Sequence, residues 1–265
     1  MLFSLTENAN IINGERWTNT MVDLDVDDGL AVVTIDRPHA RNAISLETMD
    51  QLDNVLDQAL DPAAGVRALV IRGAGDKAFV SGGDLKELSA LRTEADAAAM
   101  ARRMRGVCDR IATFPGPVLA ALNGHALGGG AEVAVAADIR LAADDVKIGF
   151  NQVSLAIMPA WGGAERLAAL VGKGRALLLA GTGRILDADE AHRVGLVDVV
   201  VSRASFEDEW RAVARQLTAA PVTAIKSVIA GVTVEEAIES FARLWVSDDH
   251  WAAADRVMSR AKRPT

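Results

Sequence analysis

The sequence predicts an α/β domain with helices packed on sheet faces, followed by an all-helical tail. Three observations carry this: short apolar runs that end in glycine turns, amphipathic stretches between them, and purely helical periodicity from about Ser205. Residues 1–20 show no period and read as an arm; 21–204 read as the core domain and 205–265 as the helical region. Leu30–Ile35 is a continuous apolar run, a buried strand ended by Arg37-Pro38. From about Leu46, the residues Met49, Leu52, Leu56 and Ala59 share one helical stripe. Val66–Arg72 and Val118–Leu122 read as strands leading into glycine turns, and Ile139–Ala142 and Leu196–Val201 as two more. After Gly82-Gly83, the recurrence of Leu85, Leu88 and Leu91 predicts a helix with Asp84 near its N-terminus. Asp187-Ala-Asp-Glu190 reads as a capping box opening a short helix, with Gly195 at its C′ position. In the tail, Phe206, Trp210, Val213 and Leu217 form one stripe. Ile238, Phe241 and Trp245 form another behind the box Thr233-Val-Glu-Glu236. Short helices with large aromatics need a partner surface, so Trp210, Trp245 and Trp251 belong either to the chain's own core or to a subunit interface.

A formal net charge of −8 argues against a nucleic-acid surface. Arg102, Arg103 and Arg105 cluster, but Met100, Met104, Val107 and Ile111 make that segment an amphipathic helix with a solvated basic face. A contact to a ligand's phosphate is the second reading for those arginines, and RNA binding a remote third. Lys262 and Arg263 stand likewise as an exposed tail first and a phosphate contact second. Cys108 is the single cysteine and lies on the helix's apolar side, so it reads as a core residue without disulfide or metal chemistry. The scattered histidines suggest no metal site. No secretory signal or membrane-spanning run is visible, so a reduced cytoplasmic setting is expected.

Chemistry concentrates in Asn123-Gly-His-Ala-Leu-Gly-Gly-Gly-Ala-Glu132, between an apolar strand and an apolar helix. Gly128, Gly129 and Gly130 bare the backbone N–H groups where a helix begins, and those groups have no intrahelical partner. Glu132 falls in the first helical turn. Amide donors beside a lone carboxylate suit an oxyanion and a moving proton. A second turn, Gly82-Gly83, can supply another N–H to the same oxygen. Neither turn is a nucleotide loop: the Walker lysine and the Gly-x-Gly-x-x-Gly spacing are both missing. Tight helix–sheet packing alone would also use such glycines.

With these turns the chain resembles the crotonase, or enoyl-CoA hydratase/isomerase, superfamily. The matching segments are Asp36-Arg-Pro-His-Ala-Arg-Asn-Ala43, Lys77-Ala-Phe-Val-Ser-Gly-Gly-Asp-Leu-Lys86, Asn123 to Glu132, Met158-Pro-Ala-Trp-Gly-Gly-Ala-Glu-Arg-Leu167 and Ala188-Asp-Glu-Ala-His-Arg-Val-Gly-Leu-Val197. The resemblance implies a spiral of ββα units with a C-terminal helical trimerisation region, assembling as a homotrimer or a dimer of trimers. It implies an acyl-CoA thioester as partner, coenzyme A entering only as part of the substrate and no separate cofactor. The Gly83 and Gly129 N–H groups would form the oxyanion hole. Arg37, Ala40, Ser81 and Asp84 would contact CoA, and Trp161 would narrow the acyl pocket.

Hydratases of this family carry two glutamates. The first falls on Glu132, but the second falls on Gln152, which cannot exchange a proton at neutral pH. Neither Asn151 nor Val153 repairs the loss, and Asp144 and Asp145 lie in an expected surface turn. Three readings follow. One is hydration or isomerisation of an enoyl-CoA in fatty-acid or related acyl-CoA metabolism, with Glu132 as sole acid–base. Another is decarboxylation of a malonyl-CoA derivative, to which the Pro159-Ala-Trp161-Gly-Gly segment is similar. The third is acyl-CoA binding without efficient turnover.

Overall fold

The computed structural model describes residues 11–12, 15–16 and 20–261. Most of the expected N-terminal arm, together with Lys262 and Arg263, lies outside the described residues. In chain order the elements are β1 (Val22–Asp27), β2 (Leu30–Ile35), α1 (Leu46–Leu60), β3 (Ala68–Gly73), β4 (Ala78–Val80), α2 (Leu85–Leu88) and α3 (Glu94–Ala112). Next come β5 (Val118–Leu122), β6 (His125–Leu127), α4 (Gly129–Ala134), β7 (Ile139–Ala143), β8 (Lys147–Gly149), α5 (Gly163–Val171) and α6 (Lys173–Thr182). The chain finishes with β9 (Ile185–Asp187), α7 (Ala188–Arg193), β10 (Val199–Val201), α8 (Phe206–Leu217), α9 (Ala220–Ala230), α10 (Val234–Trp245) and α11 (Asp248–Ala261).

Three consecutive units, starting at β3, β5 and β7, each run strand, strand, helix. Their first strands join a six-stranded sheet in the order β10-β7-β5-β3-β2-β1, parallel except for the β1–β2 pair. Their second strands β4, β6 and β8 form a smaller sheet, to which β9 adds antiparallel. Each unit thus contributes one strand to each sheet, which is the ββα spiral. Strands β3 and β5 are buried almost throughout, as parallel strands covered on both faces must be. The turns Gly82-Gly83 and Gly128–Gly130 follow the second strands β4 and β6, which pair in parallel, and so gather at one end of the small sheet.

Several local expectations hold in detail. The expected stripe of Met49, Leu52, Leu56 and Ala59 is buried on α1; the helix is capped by Ser45, not singled out from the sequence, which accepts the Thr48 N–H. Thr233 and Glu236 close their reciprocal box, and Gly195 takes the left-handed conformation at φ +80° beyond α7. Cys108 is buried, and burial pushes its thiol up to about 12. No helix among the described residues is long and apolar enough to cross a membrane.

Three expectations are corrected. The helix after Gly83 is one turn, not a run through Leu91, and Leu85 is exposed, so no apolar stripe is buried there. The strand expected from Leu196 starts at Val199, because the Leu196 and Val197 N–H groups are spent on the Ala191 carbonyl at the end of α7. At Asp187 only half a box forms: Asp187 accepts the Glu190 N–H, while the Glu190 carboxylate turns to Arg184.

The tryptophans of the tail divide. Trp210, with Phe206 and Ala214, is buried in the core beneath α8. Trp245 and Trp251 stay 46% exposed, in an aromatic cluster with Phe241 and His250.

Candidate active site

Two glycine turns meet over one indole. After β4 the chain turns at Gly82, φ +104°, where an L side chain is strained. Ile44 runs beside Gly83: its N–H donates to the Gly82 carbonyl at 2.8 Å and its carbonyl accepts the Asp84 N–H at 2.8 Å. That bridge fixes the peptides on either side of Gly83. The Gly83 N–H itself has no acceptor among the described residues. After β6, Gly128 turns at φ +54° and donates to the Gly149 carbonyl at 2.9 Å. Gly129 opens α4, so its N–H has no intrahelical acceptor, and no other is present among the described residues. The two turns are neighbours, since a Cβ on Gly82 would stand 3.4 Å from the Gly129 nitrogen.

Trp161, 6% exposed, lies against both. A Cβ on Gly83 would sit 3.8 Å from its Cζ2, and one on Gly129 only 2.1 Å from its Cζ3. Close approach, more than turning, is thus what demands glycine at 129. Gly130 is glycine for a similar reason: a Cβ there would meet the Val80 carbonyl oxygen at 1.8 Å.

Glu132 is 2% exposed, inside the first turns of α4. Its Oε2 accepts the backbone N–H of Trp161 at 2.7 Å and of Gly163 at 3.0 Å, and its Oε1 accepts Gln152 Nε2–H at 2.9 Å. Burial raises its pKa above the ordinary glutamate value; these N–H donors oppose the rise without cancelling it. The structure therefore brings Glu132 and Gln152, twenty residues apart, into direct contact. Gln152 Oε1 is buried without a partner among the described residues.

The residues expected at CoA are placed differently from one another. Arg37 is buried: its guanidinium donates to the Ala43 carbonyl and pairs with Asp84 at 2.9 Å. Burial pulls the Asp84 carboxyl upward, but hydrogen bonds from Arg37 and the Glu87 and Lys86 N–H groups, with the Arg37 charge, hold it below its ordinary value. Ala40 is half-buried in a 3-10 turn, Pro38–Ala40. Ser81 lines a cleft of about 560 Å³ with Arg41, Lys77, His125 and Arg203. Asp145 lies in the surface turn as expected, paired with Arg203.

Sequence reasoning missed two side chains that build the site. Asn42, at φ +55°, accepts the Arg37 N–H and donates to the carbonyls of Ala74 and Ala78. Asn123 accepts the Gly73 N–H and donates to Gly75 and Ala78. Both hold the 74–78 loop leading into β4. For Asn123 the available signal was its place between an apolar strand and a glycine-rich turn, since a buried amide must be bonded. The Trp161 and Gly163 N–H groups were missed too, because backbone donors leave no mark in a sequence. No cluster of three His, Cys, Asp or Glu that could hold a metal occurs among the described residues.

The family model described as enoyl-CoA hydratase/isomerase matches residues 25–242, which span both glycine turns and both members of the Glu132–Gln152 pair. The chain belongs to the enoyl-CoA hydratase/isomerase family. Among curated relatives, a probable enoyl-CoA hydratase of Bacillus subtilis is 41% identical over 67% of this chain and 68% of its own. A short-chain-enoyl-CoA hydratase of Clostridium acetobutylicum is 37% identical over 77% of this chain and 78% of its own. The crystal structure of an enoyl-CoA hydratase from Bacillus anthracis superposes with a TM-score of 0.80 at 30% identity, covering 93% of this chain and 98% of that one. The spiral with its helical tail is thus the crotonase fold.

Proposed function

We propose that this protein binds an acyl-CoA thioester and stabilises its enolate, and that its reaction is hydration or double-bond isomerisation of an enoyl-CoA. The observation that carries this reading is the pair of unengaged N–H groups, at Gly83 and Gly129, on adjacent turns beside the buried carboxylate of Glu132. Two preorganised donors at a thioester oxygen lower the cost of the enolate by several kcal/mol, roughly 3 for each donor. In hydration, water adds through oxygen to C3 while Glu132 takes its proton, and the C2–C3 electron pair moves into the enolate. Glu132 then returns the proton to C2. The net change is the addition of one water, and one carboxylate suffices.

CoA would follow the Ser81 cleft, where Arg41 and Lys77 offer cations to its phosphates. Arg37 and Asp84 would serve CoA indirectly, by shaping the Gly83 turn from within. Self-association as a trimer or dimer of trimers is part of the same proposal, supported by the exposed apolar faces of α10 and α11. A reduced cytoplasmic location also remains the expectation from sequence.

The family resemblance and the named relatives favour hydration. One observation favours decarboxylation of a malonyl-CoA derivative instead: the Glu132 carboxylate already carries three N–H donors, and decarboxylation asks little proton transfer of it. Mass-spectrometric screening of CoA thioesters against the purified protein tests the shared premise, and binding no CoA ester would end both readings. Loss of enoyl-thioester absorbance on crotonyl-CoA, against carbon dioxide release from methylmalonyl-CoA, separates them.

A further inference from the structure

The N–H groups that hold Glu132 belong to a loop, and that loop is fastened from outside. Arg166, on α5, donates from Nη1 to the Trp161 carbonyl at 3.2 Å and from Nη2 to Asp109 Oδ1 of α3 at 2.5 Å. Trp161 thereby accepts from Arg166 through its carbonyl and donates to Glu132 through its N–H. The guanidinium lies across Gly162, φ +88°, where any Cβ would stand 2.2 Å from Nη1. On the far side, a Cβ on Gly163 would stand 2.3 Å from Glu132 Cγ. The loop is thus sandwiched between one guanidinium and one carboxylate. Arg105 extends the arrangement, bonding Glu165 at 2.7 Å and approaching Asp109 at 3.7 Å.

We infer that the Asp109–Arg166 pair is a positioning device for Glu132, acting through the Trp161 peptide. As a stabilising ion pair it contributes little, because Asp109 is half exposed. Its effect falls on the loop, whose peptides must face Glu132 with their N–H groups. Freed from Arg166, the Trp161 carbonyl turns to water and the Oε2 donors lose their fixed direction. This rests on the proposed role of Glu132 for its kinetic part only.

The test uses Arg166→Gln, Asp109→Asn and Arg166→Lys in the full chain. Hydrogen exchange at the Trp161 and Gly163 N–H groups is expected to quicken tenfold or more in the first two variants. Exchange within α3 should stay as in the native protein, and Arg166→Lys should recover part of the protection. In hydration of crotonyl-CoA, kcat should fall about 30-fold with KM within threefold of native, again partly recovered by lysine. Unchanged exchange at both N–H groups, or equal quickening throughout α3 and α5, would overturn the positioning role. Lack of native turnover on any CoA ester would instead strike the functional reading and leave the exchange result standing.

Discussion

Gln152 donates to Glu132 across 2.9 Å, so two side chains that would repel as a pair of carboxylates share a single negative charge. An amide facing an ionised carboxylate has one workable orientation, with Nε2 inward, and this leaves Gln152 Oε1 as an unpaired buried acceptor. Gln152→Glu would place two carboxyls at hydrogen-bond distance, forcing one to hold a proton. If the pocket is otherwise that of a hydratase, turnover of crotonyl-CoA should rise at least tenfold. Its pH profile should change from a single acid limb to a bell. Steady-state rates between pH 5 and 9 would show it, and no gain would point to another substrate.

Glu132→Gln should remove proton transfer while keeping the fold. The new amide can accept both N–H groups of Trp161 and Gly163 through its oxygen and donate to Gln152 once that amide turns over. A fall in kcat of about 10²–10⁴-fold is expected. The native acid limb should lie above the ordinary glutamate value of 4.5, since burial raises the group. The sign for stability follows: a carboxyl whose folded pKa is raised costs stability in its ionised form. Native protein should therefore lose ground to the variant as pH rises from 4.5 through the folded pKa, with a constant gap beyond it. Melting temperatures across that interval, read with kcat, decide the matter. Near-native turnover in the variant would sink the acid–base role.

Elements with a strong period were legible in the sequence: Leu30–Ile35 and Val118–Leu122 are strands with those limits, and α1 begins at Leu46. The spiral was not legible from periodicity. Which of two successive short strands joins which sheet is settled by long-range pairing, as in Leu69 against Val118. The candidate site was legible where its proposed chemistry resides in side chains or forced glycines, hence the proposed groups Glu132, Gln152, Gly83 and Gly129. It was obscure where backbone groups act. Arg37 illustrates the limit: its motif marks importance, but burial directs the guanidinium inward to Asp84 and Ala43. Leu85 illustrates another, since three leucines at helical spacing surround a single turn whose first leucine faces solvent.

Gly129→Ala should drive a methyl into the Trp161 ring and displace the indole from the two turns. Overpacking of this kind costs about 1–3 kcal/mol. In a Trp161→Leu background the same alanine meets no ring, so its cost should largely vanish. The four proteins form a double-mutant cycle whose coupling, read from urea midpoints, is expected to reach about 1 kcal/mol or more. Affinity for butyryl-CoA should follow the same pattern. Additive losses would mean that the indole does not pack on Gly129.

Arg37 and Asp84 flank the Gly83 donor, one held to Ala43 and the other following Gly83 directly. Arg37→Met would leave the Asp84 carboxylate largely buried without its partner, at a cost of about 3 kcal/mol. Asp84→Asn is milder and carries a pH signature. A carboxyl held below its ordinary pKa contributes stability that is present above the unfolded value, near 3.8, and lost as pH falls through the folded one. The native advantage over Asp84→Asn should therefore be constant from pH 7 down to about 5. It should then shrink below 3.8. Acid titration of the unfolding free energy in both proteins measures this directly. Because the Asp84 N–H also bonds Ile44 beside Gly83, Arg37→Met should weaken acyl-CoA turnover at pH 7 even at temperatures where the variant is fully folded. A variant that loses stability yet keeps native kcat and KM would show that the pair holds the turn's fold without aiming its N–H.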